Sequence, residues 1–198
     1  MMEERRTRYP GFNVLTEVKA WDPHTRQIVM RRLGPFPELQ FFQTDEAAVF
    51  KTIAGHLTYD YREEILTYVV SWADHRLSSK TGESQRKPGI PHESELIRNG
   101  LRSLDYLGTG LYRREFFKLD PEQQFSILAA LQTGSAPAAT AGNLPQQEFF
   151  QKLLDLVIRP YYSHPTIWSE IGYGGPAYPR GYVRVEIGLI DPWEAQHE

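Results

Sequence analysis

The chain has 198 residues, no cysteine and a formal net charge of −3, from 22 Lys and Arg against 25 Asp and Glu. A folded domain of this length removes roughly 70% of its unfolded surface from water, so a core without cross-links is expected. The absence of cysteine excludes disulfides, thiolate metal sites and cysteine nucleophiles. The balanced charge argues against a dedicated nucleic-acid or anionic-membrane surface, because such a surface is basic.

Four prolines interrupt the first 43 residues, which predict an extended N-terminal arm (residues 1–43) with one short helix near residues 25–33. Arg5 and Arg6 are followed by Tyr9-Pro10-Gly11-Phe12, not by the apolar run of about 7–15 residues that an export signal needs. No window approaches the ~20 apolar residues of a membrane span. We therefore expect a cytoplasmic chain, membrane-associated or periplasmic only if a partner carries it.

Residues 44–162 predict a helical domain, because apolar side chains recur there every three or four positions. Asp120 is a cap, Pro121 fits the first turn, and Gln123 can reach back to the cap. Polar or small segments at about 78–92 and 134–145 predict mobile loops. The fold class is therefore all-α, an irregular bundle of about five helices. These helices begin at Thr44 and cover about residues 61–77, 93–114, 121–134 and 146–161.

The tail, residues 163–198, differs in composition. From Pro160 to Trp193, both included, the chain has five prolines, five glycines and seven aromatic residues, which predicts an ordered loop packed on the helical domain or on a partner. Residues 183–187 alternate weakly and allow one short edge strand. Trp, Tyr and Arg dominate binding hot spots, and packing of the rings on the chain's own helices remains the alternative. The candidate partner interface is His164, Trp168, Glu170, Tyr173, Tyr178, Arg180, Tyr182 and Trp193.

The residues predict no catalytic, cofactor-binding or metal site. Gly172-Tyr173-Gly174-Gly175 has the glycine content of a phosphate loop, but Pro176 and Pro179 prevent the helix that such a loop needs. No two histidines have the four-residue spacing that places two ligands on one helix face. Glu194 and His197 form a single Glu-x-x-His motif, whereas di-iron bundles use two.

Several motifs, in order, are similar to those of a known family. Leu101-Arg102-Ser103-Leu104-Asp105 resembles a Gly-Leu-x-x-Leu-Asp helix, and Trp168-Ser169-Glu170-Ile171-Gly172-Tyr173 resembles a closing signature. Further matching motifs lie at residues 41–46, 116–124, 149–153 and 162–165. Over residues 40–185 the chain resembles the gluconate 2-dehydrogenase subunit 3 family. It departs from that family in lacking a twin-arginine signal and in lacking a proline between His56 and Asp60.

The resemblance implies a mostly helical subunit that carries no flavin or haem. Its expected partner is a catalytic subunit of the glucose–methanol–choline (GMC) oxidoreductase type, which holds FAD, and a cytochrome subunit often completes such complexes. The implied function is a non-catalytic accessory subunit of a membrane-linked gluconate, sugar or alcohol dehydrogenase. Two alternatives remain: a stand-alone small oxidoreductase using His164, Glu170 and Arg180, or a self-contained helical protein without a partner.

Overall fold

The computed structural model describes residues 7–79, 87–184 and 186–196. These ranges contain no strand, which confirms the all-α class. The predicted count of about five helices is wrong, because three short helices accompany the five long ones. The eight helices in the described ranges are α1 (Pro23–Met30), α2 (Thr44–Thr58), α3 (Glu63–Ser78), α4 (Glu93–Tyr112), α5 (Pro121–Thr133), α6 (Ala138–Ala141), α7 (Gln146–Tyr161) and α8 (Pro165–Ile171). None of them combines the length and the apolar character needed to cross a membrane.

Residues 37–160 form one compact unit. Within it, α2 packs on α3, and α4 contacts α2, α3, α5 and α6. Most of the apolar positions that predicted these helices face inward and are buried: Phe50, Ile53, Ile65, Val69, Ile97, Leu104, Leu128, Phe149 and Leu153. Phe125 of α5, also expected to face inward, is 46% exposed. Gly100 on α4 allows the Phe149 ring of α7 to lie against its backbone, because a Cβ there would meet that ring at 2.0 Å.

A buried carboxylate fixes the segment that leads into α2. Asp74 on α3 accepts hydrogen bonds from the backbone N–H groups of Gln40, Phe41 and Phe42 at 2.8, 2.9 and 2.9 Å. Arg98 on α4 donates to the Phe41 carbonyl at 2.6 Å, and its guanidinium carbon lies 4.3 Å from the Phe41 ring centroid. Together the two side chains supply partners for three amides and one carbonyl that no helix satisfies.

The other compact unit joins the two ends of the described chain, residues 7–36 and 161–196. Its core contains Val14, Trp21, Val29 and Trp168. The Val14 N–H donates to the Ser169 hydroxyl at 3.0 Å, and Arg32 donates to the Ser163 carbonyl at 2.7 Å. The N-terminal segment, with a 3-10 helix at Val14–Ala20 and then α1, is therefore packed against α8.

Residues 163–198, predicted as a loop, begin with a helix. His164 caps α8, Pro165 occupies its first turn, and Gly172 ends it with a φ of 78°. The described part of the candidate strand at 183–187 is not strand, and residue 185 lies outside the described residues. The predicted loop at 78–92 lies partly outside them, at 80–86, and the one at 134–145 contains α6. The mobility of both loops stays a prediction.

Candidate partner-binding site

Two of the eight predicted interface residues, His164 and Trp168, are buried in the core of the unit of residues 7–36 and 161–196. His164 is 1% exposed, and its Nδ1 accepts a hydrogen bond from the Thr166 N–H at 3.2 Å. Trp168 is 6% exposed, and its Nε1 donates to the Tyr162 carbonyl at 2.7 Å. The guanidinium of Arg32 lies 5.0 Å from the Trp168 ring centroid. His164 therefore caps α8, and Trp168 packs in the core of this unit.

Glu170 and Tyr173 lie at the edge of this core, each partly exposed. The Glu170 carbonyl accepts a hydrogen bond from the Thr7 hydroxyl at 2.6 Å. The Tyr173 ring packs edge-on against Trp168, with 5.3 Å between the centroids. Burial raises the pKa of the Tyr173 phenol, and the nearby Tyr182 phenol adds to this effect. These two residues connect the buried core to the segment that follows.

Arg180 fixes the course of the chain after α8. Its Nη1 pairs with the Glu17 carboxylate at 3.1 Å, and its Nη2 donates to the carbonyls of Gly174 and Pro176 at 2.8 and 3.2 Å. The guanidinium also lies 4.5 Å from the Trp193 ring centroid, within cation–π distance. The predicted interface residues Arg180 and Trp193 therefore stabilise each other, and Arg180 holds the backbone at Gly174 and Pro176.

Asp191, which sequence reasoning missed, closes the loop that precedes it. The residue is 3% exposed, and its Oδ1 accepts hydrogen bonds from the backbone N–H groups of Val183 and Arg184 at 3.0 and 2.8 Å. Its own N–H donates to the Glu194 carboxylate at 3.1 Å. An aspartate followed by proline at the end of a Gly-containing stretch is the local signal that could have indicated this closure.

From Tyr178 to Leu189 the chain presents apolar side chains to solvent. Tyr178 and Tyr182 are 69% and 71% exposed, and Ile187 is fully exposed. Val183 and Leu189, also exposed, extend this surface. We call the described residues 178–184 and 186–189 the docking segment. Its aliphatic members were missed because no helical or strict two-residue period marks them, although aliphatic residues between charges and glycines are themselves unusual in a solvated loop.

This arrangement offers rings and aliphatic groups on a fixed backbone, which suits binding to another protein surface. In the described residues, no group of three His, Asp or Glu side chains is placed to hold a metal ion. His197 of the Glu-x-x-His motif lies outside the described residues. Of the residues in the stand-alone oxidoreductase hypothesis, His164 serves as a helix cap and Arg180 as a loop anchor.

No curated protein and no solved structure matches the chain. A family model, Gluconate 2-dehydrogenase subunit 3, matches residues 44–175, which is two thirds of the chain and includes α2 to α8. The match ends before the docking segment begins. By this match the chain belongs to the gluconate 2-dehydrogenase subunit 3 family.

Proposed function

We propose that this chain is a non-catalytic accessory subunit that binds and stabilises an FAD-dependent dehydrogenase of the GMC type. In this proposal the partner holds the flavin and oxidises a sugar or alcohol, and this chain holds no cofactor. Family membership supports a place in a dehydrogenase complex, because the family is described as a subunit of gluconate 2-dehydrogenase. The observation that carries the proposal is the exposed docking segment on its fixed frame.

The docking segment has the properties of a binding surface. Full burial of one Ile side chain contributes about 1.5–3 kcal/mol, and Ile187 has its whole side chain available. Tyr178 and Tyr182 join a large apolar area to a hydroxyl that tolerates the rim of an interface. Because Arg180 holds the carbonyls of Gly174 and Pro176 and Asp191 holds the amides of Val183 and Arg184, less conformational entropy is lost on binding than from a free loop.

The test is capture of the flavoprotein by this chain. The tagged chain is co-expressed with the FAD-dependent dehydrogenase subunit, purified, and examined for flavin absorbance and for the Kd of the complex. Ile187→Asp should weaken the complex at least about tenfold, since it places a charge where an aliphatic side chain would be buried. Ile28→Asp is the matched control, because Ile28 is an exposed isoleucine on α1 outside the docking segment.

Three results would overturn the proposal. Flavin bound to the isolated chain, or oxidation of a sugar or alcohol by the isolated chain, would make it an enzyme in its own right. If the wild-type chain captures no flavoprotein, the proposed dehydrogenase is not its partner. Full affinity of Ile187→Asp would instead show that another surface makes the contact.

A further inference from the structure

A second candidate surface lies in the unit of residues 37–160. A groove of about 770 Å³ follows α4, and its volume falls in the range of roughly 300–1,000 Å³ that ligand-binding clefts occupy. One wall is the outward face of α4, and the other is α6 with the residues after it. Pro91, Ala139 and Leu144 contribute apolar surface, and Asn99, Arg102 and Asn143 contribute polar groups.

The shape of the groove favours an extended chain. Asn99, Arg102, Tyr106 and Gly110 are spaced three or four residues apart, so they lie along one face of α4. At 1.5 Å per residue, this face is about 16 Å long. An extended segment rises about 3.3 Å per residue, so about five residues would fill it. On the opposite wall, Gly142 has open space where a side chain would stand, so another backbone can approach closely.

Three polar side chains of the groove, Asn99, Arg102 and Asn143, have no partner within the described residues. Arg102 makes neither an ion pair nor a hydrogen bond there, whereas Arg98 on the preceding turn is engaged with Phe41 and Glu46. The side-chain amides of Asn99 and Asn143 are likewise without a partner in the described part of the chain. Each amide offers a donor and an acceptor, the two groups that a bound peptide backbone requires.

We propose that this groove binds an extended segment of the dehydrogenase partner that is apolar over about five residues and carries one carboxylate, which pairs with Arg102. The apolar side chains of the segment lie against Ala139 and Leu144, and its backbone bonds to the two asparagine amides. A guanidinium without an internal partner matches a carboxylate in charge and in its bidentate geometry. This inference rests on the proposed function and adds a second contact, which strengthens a complex by effective concentration.

The test uses the complex with the co-expressed FAD-dependent dehydrogenase subunit as the probe. Arg102→Glu reverses the charge, and Ala139→Trp fills the groove. Each should weaken the complex at least about tenfold, and thermal unfolding should show that both variants remain folded. Arg114→Glu is the matched control, because Arg114 is an exposed arginine beyond the end of α4 that does not line the groove. Its Kd should stay within about twofold of the wild type.

Amide hydrogen exchange gives a readout that does not need a variant. On complex formation, residues 139–145 and the exposed face of α4 should exchange more slowly. Wild-type affinity in both groove variants, or unchanged amide exchange at residues 139–145, overturns the proposal that the groove binds the partner. Neither result contradicts binding through the docking segment. Equal losses in Arg102→Glu and Arg114→Glu overturn it in favour of general electrostatic attraction. A wild-type chain that captures no flavoprotein overturns both proposals.

Discussion

Replacement of Asp191 by alanine tests whether the docking segment binds because it is already ordered. The substitution removes the acceptor for the N–H groups of Val183 and Arg184. A hydrogen bond to a charged group contributes about 1.5–3 kcal/mol when buried, but both donor residues are exposed and their amides regain water, so the pair is worth about 2 kcal/mol. If the complex requires the same loop shape, this free energy is lost from binding, which corresponds to about a thirtyfold rise in Kd.

The assay is the Kd of the complex with the flavoprotein, measured for the wild type, Asp191→Ala and Asp191→Asn. The asparagine variant keeps an oxygen that accepts from the two amides, so its Kd should lie close to the wild-type value. Amide exchange at residues 183 and 184 should quicken in the alanine variant alone. Faster exchange at these amides together with an unchanged Kd would refute the reasoning, because binding would then not depend on a preformed loop.

Three further predictions concern stability. Gly100→Ala sets a methyl group 2.0 Å from the Phe149 ring. It should lower the free energy of unfolding, measured in urea, by about 2–3 kcal/mol. The double variant that also carries Phe149→Leu should regain part of this free energy, because the smaller side chain leaves room for the methyl group. Asp74→Ala deprives three amides of their acceptor and should lower the free energy of unfolding by about 3 kcal/mol; a Tm equal to that of the wild type would contradict this. Burial raises the pKa of Asp105, so the folded state binds this proton more tightly than the unfolded state does. The free energy of unfolding therefore falls as the pH rises through and above the usual range of a carboxyl pKa. Asp105→Asn keeps an acceptor for the Phe116 N–H, and its stability relative to the wild type should be greater at pH 7 than at pH 3; the reverse order would contradict the assigned cause.

Local sequence signals were sufficient for the long helices. Asp120 and Gln123 form the reciprocal capping pair that their spacing predicted, with the Gln123 N–H 2.9 Å from the Asp120 carboxylate. Gly134 ends α5 in the left-handed conformation, as a glycine at that position indicates. These features act within a few residues of the chain, so one sequence is enough to identify them.

The tail was harder to predict because its composition concealed a helix. Pro165 at the first turn and Gly172 after the last residue are ordinary boundary signals for α8, but the glycines and prolines around them favoured a loop over the whole segment. Burial of Trp168 depends on Val14 and Trp21, far earlier in the chain, and no local period encodes such a contact. Sequence therefore indicated which residues were unusual, but not which of them face solvent.

The unit that carries the docking segment draws its core from two distant stretches of the chain. During synthesis the ribosome releases residues 37–160 before residues 161–196, so the continuous unit can acquire its contacts first. Until α8 emerges, the core of this unit lacks Trp168, the residue against which Val14, Trp21 and Val29 pack. A nascent polypeptide arrested before that point lacks both α8 and the docking segment. In the proposed complex, assembly would accordingly select copies whose translation has passed this stage.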